Sequence, residues 1–381
     1  MGDHPRGLTA PPSAMKVLEV INVDFSLRHF LLPLLRGIRA RGHEVIGACA
    51  EEGDDLAPVR AEGFRIVPLP FARRASPAAQ WQGYQALRTL LAAERPDLVH
   101  GHMPLSGFLA RMAAWRQGTP RIAYTCHGFL FNQPSPWPRR AASLAMEMLA
   151  GRVTDVFLTV SEKEAADARR LGIHRHPVAI GNGRDPAIFR PDPAARARLR
   201  AELGTPTARV VVITVARLVA HKGHAELAAA LAGLDAELWV VGDRLASDRG
   251  PDVAAGLRAA GLGERLRLLG RRDDIPALLA AADIFALASH FEGLPMSIIE
   301  AMLTGLPVVA TRIGGPAELV VPGETGLLVP AGAVPPLRAA LAALVAQPEQ
   351  RRVMGAAGRA RALTRYTEAA VRDRTLDLLG L

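Results

Sequence analysis

Two doubly wound α/β domains on parallel sheets are predicted by three features of this 381-residue chain. Short continuous apolar runs rich in β-branched residues recur along it, segments of helical periodicity separate them, and one stretch rich in proline and charge interrupts the series near the middle. Strands buried on both faces read as unbroken apolar runs, and a parallel sheet needs crossover helices between them.

In chain order the first domain reads KVLEVINV (16–23), a helical period over 31–41, HEVIGACA (43–50), RIVPLP (65–70), a second helical period over 86–94, DLVHGH (97–102), RIAYTCH (121–127), DVFLTVS (155–161) and PVAIGN (177–182). The pattern lapses over 183–207, GRDPAIFRPDPAARARLRAELGTPT, and a domain boundary at 190/191 is placed in that lapse. It restarts with RVVVITVAR (209–217), AELWVVGD (236–243), RLRLLG (265–270), IFALAS (284–289) and LPVVAT (306–311). The amphipathic YTEAAVRDRTLDLLGL (366–381) is expected to end the chain as a helix. Residues 1–14 lack the apolar core of a secretory leader and are expected to form a disordered extension.

Composition excludes several classes. Apolar residues make up 49% and charged residues 22%, which is the balance of a globular protein. The most apolar stretch, VVVITVARLVA (210–220), is short and broken by Arg217, so no membrane span is expected. Cys49 and Cys126 lie inside strand-like runs and offer no disulfide framework, which favours a reducing, cytoplasmic compartment. The net charge of +9 falls unevenly, +7 on residues 1–190 and +2 on 191–381. Phe71-Ala72-Arg73-Arg74 and the loop FLFNQPSPWPRR (129–140) mix aromatics with arginine, a combination suited to peripheral docking on an anionic membrane surface. Arginine far outnumbers lysine throughout, so composition is the competing explanation for that excess. Nucleic acid is not an expected partner.

The segment HFEGLPMSIIEAMLTGLP (290–307) carries the chemistry. Glu292 follows an apolar strand, Pro295 suits the first turn of a helix, and Glu300 falls about one and a half turns in. Met296, Ile299, Met302 and Leu303 share the spacing of a packed face, with Glu300 on its flank. Two carboxylates at strand ends can each accept a pair of hydrogen bonds from a vicinal diol. Two glutamates eight positions apart are common, and the neighbours are what make this pair informative. Arg217 and Lys222 leave an earlier strand, where a fork and a point charge can grip a diphosphate. Gly293 permits close backbone approach at the helix start, and the Gly314-Gly315 turn can face an anion unobstructed. Leu294 and Pro295 complete the turn, while Gly242 and Arg271 follow the next two strands as further donor-side candidates. Such a set, in a cleft between two Rossmann-like domains, describes a nucleotide-sugar site.

At this point the chain resembles glycosyltransferase family 4, retaining enzymes of the GT-B fold, and within it the bacterial capsule and exopolysaccharide branch. The likeness runs from Met15 to Leu381 through DFSLRHFLLPLLRGIRARGHEV (24–45), YTCHGFLF (124–131), IGNGRDPAIFRP (180–191), DDIPALLAAADIFALASHFEGLPMSIIEAM (273–302) and GETGLLVP (323–330). It implies an acceptor-side domain of residues 15–190, joined by a last helix over 366–381 that crosses back to it, and a donor domain of 191–365. It also implies that Arg217 and Lys222 hold the donor diphosphate, Glu292 the sugar hydroxyls and Glu300 the ribose, with His127 facing the reacting sugar. Two positions depart from the family: Asn22-Val23-Asp24-Phe25-Ser26 stands where a Gly-Gly loop is usual, and Arg184 stands where an apolar residue follows Asn-Gly.

Asp24, Arg28 and His102 are candidate acceptor-side residues, Asp24 equally well a helix cap. His100 and His102 alternate at one strand end, but no third ligand of suitable spacing follows, and packing or a cleft hydrogen bond is the expectation. No Asp-x-Asp pair is present to hold a metal, and no cofactor is expected beyond the sugar nucleotide as substrate. The reading is of a retaining, metal-independent glycosyltransferase that moves a sugar from a nucleoside-diphosphate sugar to a lipid-linked or oligosaccharide acceptor in cell-surface polysaccharide synthesis. A GT-B nucleotide-sugar epimerase and a non-catalytic sugar-nucleotide-binding protein are the alternatives. An oxidoreductase is weaker, since no G-x-G-x-x-G follows the first strand.

Overall fold

The computed structural model describes residues 14–71, 77–133, 135–244, 248 and 250–381. Residues 1–13 of the extension expected over 1–14 and the Arg73-Arg74 pair lie outside the described residues.

Thirteen strands form among the described residues: β1 (Lys16–Val23), β2 (Glu44–Ala50), β3 (Arg65–Pro68), β4 (Leu98–His102), β5 (Arg121–Cys126), β6 (Val156–Thr159), β7 (Val178–Ala179), β8 (Val210–Val215), β9 (Ala236–Val241), β10 (Leu266–Gly270), β11 (Ile284–Leu287), β12 (Val308–Thr311) and β13 (Gly326–Val329). They make two sheets, ordered β3-β2-β1-β4-β5-β6-β7 and β10-β9-β8-β11-β12-β13. The registered pairs are all parallel. In each sheet the order reverses once, between β1 and β4 and between β8 and β11. The loops leaving two such strands diverge, which opens a crevice at their carboxyl ends.

The second sheet shows why its strands read as unbroken apolar runs. Val211 and Ile213 of β8, Phe285 and Leu287 of β11 and Val308 and Ala310 of β12 enter one core with Trp239. Their alternates Val212, Ile284, Ala286 and Val309 enter a second core on the opposite face, with Leu227, Leu231 and Leu341 of the covering helices. Period-two alternation into two cores leaves no polar face.

By compactness the chain divides into two units. One runs to Tyr124, with Val153–Val156 and Leu376–Leu381, and the other comprises Thr125–Arg152 and Phe157–Thr375. The final helix spans Glu368–Leu379, and its end is tied to the first unit by Arg41, which donates to Asp377 Oδ1 at 2.7 Å and to the Leu381 carbonyl at 2.5 Å. Cys49 and Cys126 are free and buried.

Three local expectations are corrected. Pro295 is the N-cap of the helix Met296–Leu303, with ψ 120°, one position before the first turn. Glu300 is 6% exposed and buried with the helix around it, because residues 298–303 are all covered. In the loop assigned to a membrane surface, Phe129 and Phe131 are buried and stacked with centroids 4.6 Å apart, Phe129 also lying against Phe157, whereas Trp137 is 77% exposed. Among the described residues no helix is long and apolar enough to cross a membrane.

Candidate active site

The strongest cluster lies in the second unit, at the crevice between β8 and β11. After β8 the chain passes Arg217, turns through a short 3-10 helix, Ala220–Lys222, and enters the helix His224–Leu231. Gly223 makes that turn with φ 70°, and a Cβ there would strike the Ala288 carbonyl at the end of β11, so only glycine lets the two strand exits meet. The meeting joins the predicted groups. Lys222 Nζ donates to Glu292 Oε1 at 2.7 Å and Ser289 Oγ donates to the same oxygen at 2.6 Å. Lys222 and Glu292 side chains are 16% and 9% exposed, so the pair is poorly screened by solvent.

Arg217 is exposed and donates to Asp248 Oδ1 at 2.5 Å. His224 Nε2 lies 2.9 Å from the Arg217 carbonyl, and burial lowers the affinity of its ring for a proton. His221 is lowered too, by burial first and then by Lys222 and Arg217, so neither ring adds positive charge at neutral pH.

The β12 exit arrives against the Glu292 turn. A Cβ on Gly315 would land on the Gly293 carbonyl, so the two glycine segments cross with no room for a side chain. Gly314 begins the short helix Gly314–Leu319 beside the Glu292 carbonyl. On the other flank, a Cβ on Gly293 would stand 3.3 Å from the His127 carbonyl, which places the end of β5 at the same turn. A cavity of about 190 Å³ opens there, lined by Lys163, Glu164, His290, Glu292 and Gly314 among others.

Segment 182–184 braces the turn. Asn182 Nδ2 donates to the Leu294 carbonyl at 2.7 Å, and Arg184 Nε donates to Glu300 Oε1 at 2.7 Å. The residue that departs from the family pattern therefore partners the carboxylate assigned to the ribose. Gly242 is packed at the β9 exit, its amide donating to the Gly270 carbonyl at 2.8 Å. Arg271 is exposed beyond β10, and among the described residues no bond ties it to the cluster.

The acceptor-side candidates belong to the first unit and are engaged within it. Asp24 is 2% exposed and its Oδ2 accepts from the Glu52 and Gly53 amides at 2.9 and 2.6 Å, so it fixes a loop and is not the expected helix cap, a position held by Val23 without a side-chain bond. Arg28 pairs with Asp55 at 2.9 Å. His102 Nε2 and His100 Nδ1 lie 2.7 and 3.1 Å from the two oxygens of Glu19, a carboxylate inside β1 that supplies the third group absent from the downstream sequence. All three are buried. The histidines hold the Glu19 carboxyl down to about 2 although burial alone would raise it, and burial with the His100 charge pushes His102 down to about 4.

Sequence reasoning missed Glu19, Lys163, Glu164, Ser289 and Glu318. Glu318 accepts from the Glu162 and Lys163 amides, both at 2.9 Å, and so occupies the start of the helix Glu162–Arg170. Lysine scarcity was an available signal: of the chain's three lysines, Lys163 and Lys222 both stand at this site.

The comparisons identify the family and the fold. The family described as "Glycosyl transferases group 1" matches residues 195–361 and the "Glycosyl transferase 4-like domain" matches 27–183. EpsD of Bacillus subtilis, assigned to the glycosyltransferases, is 28% identical over 377 residues, 95% of this chain and 96% of its own. A GDP-mannose-dependent alpha-(1-6)-phosphatidylinositol monomannoside mannosyltransferase of Mycolicibacterium smegmatis is 31% identical over 355 residues, 87% of each chain. The crystal structure of Anabaena HepE in complex with UDP and glucose superposes with a TM-score of 0.84 at 23% identity, covering 96% of this chain and 99% of that one, and shares the GT-B fold. The chain belongs to the glycosyltransferases, with a glycosyl transferase 4-like domain matched over its first half and a group 1 domain over its second.

Proposed function

We propose that this glycosyltransferase takes a hexose from a nucleoside-diphosphate sugar and passes it, with retention at the anomeric carbon and without a divalent metal, to a lipid-linked saccharide in cell-surface polysaccharide synthesis. The observation that carries the donor half is the Lys222–Glu292 pair at the β8/β11 crevice, beside the Gly293/Gly315 crossing. As the glycosidic bond breaks, negative charge grows on the β-phosphate. Arg217 and Lys222 are positioned to stabilise it, and each now holds a carboxylate that a bound diphosphate would displace or share.

Glu292 accepts both of its bonds on Oε1, which leaves Oε2 to accept from sugar hydroxyls. Glu300 would take the ribose through Oε2, with Arg184 fixing Oε1. His127 faces the reacting sugar in this reading, and Leu294, Pro295, Gly293, Gly314 and Gly315 shape the turn around it. Gly242 and Arg271 flank the donor. Asp24, Arg28 and His102 belong to the acceptor side, with a domain boundary near residue 190. The name of the phosphatidylinositol monomannoside mannosyltransferase supports a lipid-borne acceptor, and the exposed Trp137 supports docking at the inner face of the cytoplasmic membrane.

A thermal-shift panel of UDP-glucose, UDP-galactose, UDP-N-acetylglucosamine and GDP-mannose tests the donor half, since a bound donor raises the melting temperature by mass action. At least one is expected to stabilise the protein, and none doing so would refute the donor site. Turnover that vanished with chelator and returned with Mg²⁺ or Mn²⁺ would overturn the cationic account of leaving-group departure. Conversion of the donor sugar without acceptor would instead identify an epimerase.

A further inference from the structure

We propose that Glu164 recognises a hydroxyl of the transferred sugar through its Oε2, and so is a specificity-determining residue of this site. The inference rests on the nucleotide-sugar reading above and extends it to a residue from outside the β8/β11 exits.

Glu164 is the third residue of the helix Glu162–Arg170, whose N-cap Ser161 accepts from the Glu164 amide at 3.2 Å. In sequence, Ser161 to Glu164 is an ordinary capping box, whose glutamate normally turns back to the N-cap amide. Here the side chain goes elsewhere. It is 4% exposed, lines the cavity with Glu292 and Lys163, and accepts from the Ser161 hydroxyl and the Phe129 amide. Those bonds fall on one oxygen, because Oε2 is buried and has no hydrogen-bond partner among the described residues.

A buried polar atom left unpaired costs about 1–3 kcal/mol. A ligand hydroxyl would satisfy it, and two backbone markers place the carboxyl group that carries this oxygen. A Cβ on Gly128 would stand 3.7 Å from Glu164 Oε1 and one on Gly293 would stand 3.8 Å from it. Gly128 follows His127 and Gly293 follows Glu292, so the Glu164 carboxyl sits between the two segments assigned to the reacting sugar.

The charges around Glu164 favour a neutral partner. Burial first, and the Glu318 carboxylate with it, pushes its carboxyl up to about 8 against the pull of Ser161, Phe129 and Lys163. Lys163 is engaged by Asp167 at 2.5 Å, and Glu292 lines the same cavity. An anion would meet carboxyl groups there. A sugar hydroxyl meets an acid that can donate from Oε2 while its other oxygen keeps the Phe129 amide.

The test uses the full-length protein and the best donor of the panel, compared with its free nucleoside diphosphate by calorimetry. Glu164→Ala is expected to weaken the sugar nucleotide by ~10–100-fold and to leave the free diphosphate unchanged, the range of one lost buried hydrogen bond. Glu164→Gln presents a neutral donor and acceptor of the same shape and is expected to remain within about threefold of wild type. Among monodeoxy donors, one is expected to bind wild type as weakly as the parent donor binds Glu164→Ala, with no further loss in the variant. Equal losses for sugar nucleotide and free diphosphate, or no deoxy donor that behaves this way, would overturn the inference in favour of a helix-capping role. If the alanine variant does not fold, the glutamine variant and the deoxy donors on wild type decide. Failure of the donor reading itself looks different, because wild type would then bind no donor.

Discussion

Two buried carboxylates, Glu19 in the first unit and Glu164 in the second, met opposite fates. Glu19 has an imidazole nitrogen at each oxygen, and its carboxyl lies far below the ordinary range, at about 2. Glu164 has one oxygen engaged and the other unpaired, and its carboxyl lies at about 8. Desolvation is the largest influence on both, so the partners decide the difference. A buried charge whose valences are all met is part of the scaffold. One left incomplete beside a cavity is placed for a ligand.

That contrast breaks most readily at Glu19. Glu19→Ala removes the charge that both imidazoles face and is expected to lower stability by about 3–5 kcal/mol in urea unfolding, with donor affinity in the surviving folded fraction unchanged. A loss below about 1 kcal/mol would remove the scaffold role. Glu292→Ala is the converse case. Transfer is expected to fall ~10²–10³-fold with a smaller loss of stability than Glu19→Ala, because the Lys222 side chain left behind is 16% exposed where the two imidazoles are at most 3% exposed. A large fall in stability with activity per folded molecule preserved would reverse the assignment.

Proton linkage sharpens the comparison. Glu164 in the fold keeps its proton up to about 8, while the unfolded chain gives it up near 4.5, so its contribution to stability falls as pH rises between those values and is flat above. Glu19 runs the other way. Its contribution is full above about 4.5 and is lost as pH falls to about 2, and His102, neutral in the fold down to about 4 against 6.5 unfolded, adds a loss below pH 6.5. Unfolding measured from pH 4 to 9 should show Glu164→Gln gaining on wild type by up to a few kcal/mol, all of it accumulated between pH 4.5 and 8. A gain independent of pH would show that Glu164 is ionised in the native protein.

The smallest effect is expected at Arg184. Arg184→Leu frees Glu300 Oε1 and should change the Michaelis constant for the donor a few-fold, with little change in turnover. A turnover change as large as that of Glu292→Ala would show that Arg184 acts on the reacting sugar itself.

Most strands were legible because a sheet covered on both faces leaves its strands no polar alternation, as in VVVITV of β8. β13, GLLV between a turn and a proline, was too short to stand out and was taken only as part of a motif. Glu292, Lys222 and Gly315 were legible as a set because they stand at strand exits with glycine around them. Glu164 was hidden by a capping box that explains it locally. Glu19 had a visible signal, a lone carboxylate in the strand KVLEVINV, but its meaning depended on β4 lying alongside. Arg184 was flagged as a departure from the family, and its partner Glu300 lies 116 positions away.

By itself the sequence determined the alternation of strands and helices, the two-sheet class and the residues that stand at the β8, β11 and β12 exits, because hydrophobic period and glycine placement act over a few residues. Only the tertiary structure decided which acids are satisfied and which are left open. Desolvation and hydrogen bonding depend on neighbours brought in from distant strands, and no local spacing encodes whether a buried oxygen will meet a donor.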